Sequence, residues 1–147
     1  MEKIKEIAEG YGCVLVYLFG SQAQKGMAYL NGGDVVYDNL SDLDIAVAFE
    51  TAPDDIDTYE CLYKEFSELF EPFDIDLVFI HEVDTVFCYE IIKGIRIYEK
   101  SEEAADRFEE DALKRAADLY FKKKVFDKEV MEAIEDGYFQ FEYNPNS

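Results

Sequence analysis

Ser41-Asp42-Leu43-Asp44-Ile45-Ala46-Val47-Ala48-Phe49 and Asp74-Ile75-Asp76-Leu77-Val78-Phe79-Ile80 decide the fold. Both are short apolar runs rich in β-formers that open on two aspartates spaced two apart. Side chains alternate across a strand, so Asp42 and Asp44 share one face while Leu43, Ile45, Val47 and Phe49 share the other. In the second run Asp74 and Asp76 stand on one face, and Ile75, Leu77 and Phe79 on the other. Strands over Asp44–Phe49 and Asp74–Ile80 are therefore expected, each with an acidic start. Carboxylates this close repel unless a cation or a proton lies between them. Taken singly, each pair reads equally as a cation site or as a solvated acidic edge. If the strands lie side by side, the acidic ends meet and Asp42, Asp44 and Asp76 form one cluster. Magnesium suits such a cluster, because it takes oxygen ligands and shares them with substrate phosphates. Asp76, deeper in its run, is the better ligand; Asp74 is expected in solvent.

Working outward, residues 2–9 read as a short helix with Ile4, Ile7 and Ala8 on one face, ended by Gly10 and Gly12. Val14–Phe19 is a buried-strand candidate closed by Gly20. Residues 26–40 read as a loop, with Asn31-Gly32-Gly33 able to turn a small hairpin. Asp57–Phe70 carries an apolar stripe of Leu62, Phe66, Leu69 and Phe70, and Pro72 stops it. A helix over Val83–Lys93 is expected, capped by Gly94, then a short edge strand over Arg96–Tyr98. From Ser101 the pattern is helical through Tyr120, with a second segment from Lys128 to about Phe139. Strands alternating with helices, then terminal helices, predict an α/β (α+β) domain: a small mixed sheet flanked by helices. With 147 residues and no linker or repeat, one domain over 1–147 is expected, its core at about 10–100 and a helical extension at about 101–143.

The charge balance narrows the function. Thirty-four acidic residues against fourteen basic ones give a formal net charge of −20, which repels nucleic-acid backbones and anionic membranes. Arg96, Arg107 and Arg115 are the only arginines. Neither direct nucleic-acid binding nor membrane association is expected. A nucleotide can still bind if cations offset its phosphates, and a basic protein partner would suit the surface. Cys13, Cys61 and Cys88 lack zinc or disulfide spacing and read as small core residues in a reducing compartment. The first ten residues have no signal-peptide character, so a cytoplasmic location is expected.

Leu18-Phe19-Gly20-Ser21 runs a strand into Gly-Ser, a junction that can present backbone N–H groups and a hydroxyl to a phosphate; an ordinary turn has the same sequence. An EF-hand starting at Asp34 fails, since Val36 and Asn39 occupy the third and sixth loop positions.

Together, Phe19-Gly20-Ser21, Ser41-Asp42-Leu43-Asp44 and Asp76-Leu77-Val78 resemble the signature of the minimal nucleotidyltransferases (MNT) of the polymerase-beta-like nucleotidyltransferase superfamily. The likeness spans about residues 10–100. It implies the nucleotidyltransferase fold, two Mg²⁺ ions ~4 Å apart and a bound nucleoside triphosphate such as ATP. Asp42 and Asp44 would ligate both ions. Asp76 would ligate the catalytic one and help deprotonate or orient the acceptor hydroxyl. Gly20 and Ser21 would contact the β- and γ-phosphates. The implied activity is Mg-dependent transfer of AMP, or another nucleoside monophosphate, onto a hydroxyl. The implied partner is a helical HEPN-type toxin, neutralised by adenylylation of a tyrosine, which would make this chain an antitoxin. A non-catalytic antitoxin or regulatory subunit that binds its target directly is the alternative. A transferase for aminoglycoside-like small molecules ranks third, with few residues left to hold the acceptor. Two departures stand out: Gln22-Ala23-Gln24-Lys25 replaces the arginines often found after Gly-Ser, and about a dozen residues, Met27 to Leu40, are inserted before Ser41.

Three other features read as structural. His81, the single histidine, follows a strand and is expected at the surface. The aromatic tail from Tyr138 to Tyr143 is either a core-packing or a partner-binding stripe. Lys122-Lys123-Lys124 is expected to end a helix, where positive charge favours the dipole.

Overall fold

The structure, a computed structural model, describes residues 1–36 and 40–137. In chain order the elements are α1 (Glu2–Tyr11), β1 (Cys13–Phe19), α2 (Ala23–Leu30), β2 (Leu43–Phe49), α3 (Ile56–Leu69), β3 (Ile75–Phe79), a 3₁₀ turn (Ile80–Glu82), α4 (Thr85–Ile92), β4 (Ile95–Glu99) and α5 (Glu102–Glu135). The strands form one mixed sheet of order β3-β2-β1-β4. β1 is antiparallel to both β2 and β4, whereas β2 and β3 are parallel, joined by α3. β4 lies at the edge, as its brevity predicts.

The sheet has two covered faces. Val16, Leu18, Leu43, Ile45, Val47, Ile75, Leu77 and Phe79 point to one side, against Ile4 and Ile7 of α1 and Leu62 and Phe66 of α3. Leu15, Tyr17, Phe19 and Ala46 point to the other, against Ile91 of α4 and Ala105 of α5. Sequence chemistry sets the helix ends. Gly12 takes φ +73 and its N–H reaches back to the carbonyls of Ala8 and Glu9, closing α1. Asp55, Asp84 and Ser101 each accept a backbone N–H as side-chain caps of α3, α4 and α5.

The structure corrects several expectations. Residues 26–30 are not loop: they complete α2, and Asn31-Gly32-Gly33 closes that helix through bonds to Met27, Tyr29 and Ala28 rather than turning a hairpin. The four residues from Met27 of the presumed insertion are thus helical. Gly26 stays in the helix because it touches the sheet; a Cβ there would press on the Leu43 and Leu18 side chains. The expected pair of terminal helices is one continuous helix, α5, since nothing between Leu119 and Lys128 breaks it. The segment from Lys128 to about Phe139 is part of α5 as far as Glu135, and the aromatic tail lies outside the described residues. Lys122–Lys124 therefore sits inside α5, where Lys123 pairs with Asp127 at 3.3 Å and Lys124 lies over the Tyr120 ring. Cys13 is buried, its thiol pushed up to about 12 by burial, but Cys61 is exposed, because Leu62 rather than Cys61 faces the core from α3. His81 is exposed at the end of β3, as expected.

The first third of α5 packs on the body through buried residues, while from Leu113 to Lys123 it borders an open pocket with Val86 and Tyr89 of α4. Ala105 and Ala112 are buried, and Glu109 accepts a 2.8 Å hydrogen bond from the buried Tyr17 hydroxyl. Arg96 of β4 ties the same region together, reaching Glu99, Asp106 and Glu109 at 3.1–3.4 Å. Beyond it, Leu113, Leu119, Tyr120, Phe121 and Val125 are exposed. No helix among the described residues is long and apolar enough to cross a membrane.

Lys93 is the C-cap of α4, and Gly94 follows it, its N–H donating back to the Ile91 carbonyl at 2.9 Å. The glycine is needed for a steric reason: a Cβ at Gly94 would collide with the Leu18 carbonyl in the neighbouring strand and crowd Phe19. Gly94→Ala is expected to cost about 1–3 kcal/mol through overpacking against rigid backbone. A chemical-denaturation midpoint equal to wild type would contradict this.

Candidate active site

The parallel register of β2 and β3 places Asp44 opposite Asp76. On its other side Asp44 is opposite Phe19, the last residue of β1. The residues flanking Asp44 and Asp76 along their strands are buried in the α1/α3 core. Alternation therefore turns both carboxylates to the α4/α5 side of the sheet. Asp42 precedes β2 by one residue, has the same parity and is exposed. The Leu43 N–H donates to the Asp74 carbonyl at 2.8 Å, fastening the two acidic strand starts together. Asp74 itself is exposed.

These neighbours perturb Asp44. Burial first, then the charges of Asp76 and Asp42, hold its carboxyl above the ordinary 3.8. Among the described residues, no lysine or arginine is ion-paired with Asp42, Asp44 or Asp76. Nor are three His, Cys, Asp or Glu side chains gathered there as a ready metal cage. Magnesium at a nucleotide does not require one, since one or two carboxylates suffice when phosphates complete its shell. An all-oxygen anionic set with no protein counter-ion fits a hard divalent cation.

The Gly-Ser turn abuts this row. Gly20 adopts φ +76, a left-handed conformation that glycine enters without penalty. A Cβ at this position would collide with the Asp44 carboxylate, so the turn and the acid share one space only because Gly20 has no side chain. The Ala23 N–H donates to the Gly20 carbonyl at 3.4 Å, and the chain passes through exposed Ser21 directly into α2. Lys25 in the first turn of α2 is the nearest cation in sequence.

Gln22, not singled out from the sequence, is the buried polar residue of this corner, with 6% of its surface exposed. Its Nε2 donates to Ser21 Oγ at 3.3 Å, while its Oε1 is buried with no hydrogen-bond partner among the described residues. An unpaired buried polar atom costs about 1–3 kcal/mol. No sequence signal distinguishes it, since a glutamine beside Gly-Ser ordinarily faces water.

A larger cavity, about 760 Å³, lies at the other end of the same face, lined by Val14, Ala48, Phe49, His81, Phe108 and Arg115 among others. None of Gly20, Ser21, Asp42, Asp44 or Asp76 borders it. The carboxylate row is thus an open edge of the sheet, distinct from this cavity.

The raised pKa of Asp44 fixes the sign of a stability prediction. A carboxyl whose pKa is higher folded than unfolded stabilises the fold when protonated, and that contribution is lost as pH rises through the folded value. With EDTA present, Asp44→Asn should melt above wild type at pH 7. The gap should narrow as pH falls through the raised pKa and close near 3.8. A gap that stays constant with pH would refute the assignment.

The polymerase beta nucleotidyltransferase family matches residues 2–103 of the chain. No curated protein matches it. Among solved structures, a chain of a toxin–antitoxin complex with AMP-PNP is 24% identical, with a TM-score of 0.62 over 88% of this chain and 97% of that one. A chain of the complex of tri-AMPylated Shewanella oneidensis HEPN toxin with MNT antitoxin is 23% identical, with a TM-score of 0.60 over 88% and 94%. A chain of the toxin–antitoxin MntA–HepT gives 23% and 0.60 over 88% and 95%. At these identities the likeness is one of fold. The family match covers most of the chain, including the Gly-Ser turn and both acidic strands, and the chain belongs to the polymerase beta nucleotidyltransferase family.

Proposed function

We propose that this chain is a magnesium-dependent nucleotidyltransferase that moves AMP from ATP, or another nucleoside monophosphate from its triphosphate, to a hydroxyl. The acceptor we favour is a tyrosine of a HEPN-type protein partner, which makes the chain an antitoxin. The observation that carries the reading is the pairing of Asp44 with Asp76, beside Asp42 and against the Gly20–Ser21 turn. Solved structures of similar fold support the nucleotide and the partner, since one holds AMP-PNP and another pairs an MNT antitoxin with an AMPylated HEPN toxin.

In this reading Asp42, Asp44 and Asp76 hold the cation. Bound magnesium supplies charge neutralisation for the triphosphate and the leaving group. Gly20 lets backbone approach the β- and γ-phosphates, and the Ser21 hydroxyl contacts them. Asp76, on the exposed edge strand, orients the acceptor hydroxyl and takes its proton. The acceptor oxygen bonds to the α-phosphorus as the bond from that phosphorus to the bridging oxygen breaks. Pyrophosphate leaves with the electron pair, and the proton passes from Asp76 to water.

A second reading rests on α5. Its exposed Leu119, Tyr120, Phe121 and Val125, beside Lys122–Lys124, offer a binding surface independent of the carboxylates. The chain would then neutralise a partner by contact alone.

One assay separates the two. With α-labelled ATP, Mg²⁺ and a HEPN-type partner, wild type should label the partner, and Asp42→Ala plus Asp44→Ala should lower labelling by at least about 10³-fold. Equal labelling by the double variant would sink the catalytic reading. If that variant labels nothing yet still neutralises the partner at equal stoichiometry, contact alone suffices.

A further inference from the structure

We propose that Gln22 is a positioning residue of the nucleotide site: its buried amide fixes the hydroxyl of Ser21 in the turn that meets the phosphates. The inference rests on the nucleotidyltransferase reading above and goes beyond its ligands.

Ser21 is exposed and lies between Gly20, which has no side chain to restrain the turn, and the first turn of α2. A serine hydroxyl so placed rotates freely unless something holds it. Gln22 is what holds it, at 3.3 Å, from a position nine-tenths buried. As placed, the amide N–H lies on the serine hydroxyl, and among the described residues the Oε1 end has no partner. Packing does not require that arrangement, because methionine fills nearly the same volume without an orphaned polar atom. Nor does the helix use it, for the Gln22 side chain makes no capping bond to α2. Among the described residues, the Ser21 hydroxyl is the hydrogen-bond partner of this amide. A triphosphate offers acceptor oxygens, so a hydroxyl held in one orientation binds it better than one that must be ordered on binding.

The test uses the full chain and a non-hydrolysable ATP analogue with Mg²⁺, by calorimetric titration and thermal melting. Gln22→Met should melt, without nucleotide, at or above wild type, yet bind the analogue about 5- to 30-fold more weakly. Ser21→Ala should weaken binding similarly, and Gln22→Met added to Ser21→Ala should weaken it no further. Binding by Gln22→Met equal to wild type, or additive losses in the double variant, would overturn the proposal. Should Gln22→Met not fold, Gln22→Asn, whose amide stops one carbon short of Ser21, carries the same comparison. If wild type itself fails to bind the analogue, the nucleotide reading falls and takes this inference with it; wild-type binding with no Gln22 effect defeats this inference alone.

Discussion

Two carboxylates that repel each other are held in adjacent strands because the opposite faces of those strands belong in the core. Asp44 and Asp76 have no freedom to separate: Leu43, Ile45 and Val47 on one side of the pairing, and Ile75, Leu77 and Phe79 on the other, are all buried. A slip of one residue between β2 and β3 would send Asp76 into the α1/α3 core and expose Leu77. Register is thus enforced by apolar area, and the acidic row comes with it. The repulsion persists as a raised pKa on Asp44, where burial and two neighbouring charges act together.

Charge elsewhere is managed differently. The chain carries a formal net charge of −20, yet Arg96 is surrounded by Glu99, Asp106 and Glu109 and joins the edge strand to α5. The buried Tyr17 hydroxyl donates to the same Glu109, and burial with this bond pushes its pKa far up. Glu99, Asp106 and Glu109 are thus paired with a cation or a donor. The carboxylates in the Asp42, Asp44, Asp76 row have no such protein partner among the described residues.

The strands were legible because their physics is local. Val14–Phe19 differs from β1 by one residue at its start and Asp74–Ile80 from β3 by one at each end, since a β-rich apolar run bounded by Gly or Asp has few alternatives. The facing of Asp44 and Asp76 follows from alternation alone once the strands pair. What escaped the sequence depends on tertiary contact. Gly26 suggests a loop until Leu18 and Leu43 are seen against it. Gly94 suggests only a helix end until the Leu18 carbonyl is found in its path. The pattern from Ser101 through Tyr120 gives a helix, but not that Leu119 and Tyr120 stay exposed on it. Gln22 carries no signal at all, because its meaning lies in an atom that lacks a partner.

Three departures from a stable local solution gather at one corner of the molecule. Gly20 sits in the left-handed region, Asp44 is desolvated beside like charges, and Gln22 buries an unpaired amide end. Burial of Asp44 beside like charges and the unpaired end of Gln22 each cost stability, whereas Gly20 is required where it is because a Cβ would meet the Asp44 carboxylate; all three lie at or next to the junction of β1, β2 and α2. Elsewhere the faces of the sheet are filled by ordinary aliphatic and aromatic packing. On the proposed function one cause accounts for all three: the phosphates of a nucleotide with their cation would lie at this corner, beside Gly20, Ser21 and the paired Asp44 and Asp76, and would offset the charge of the row.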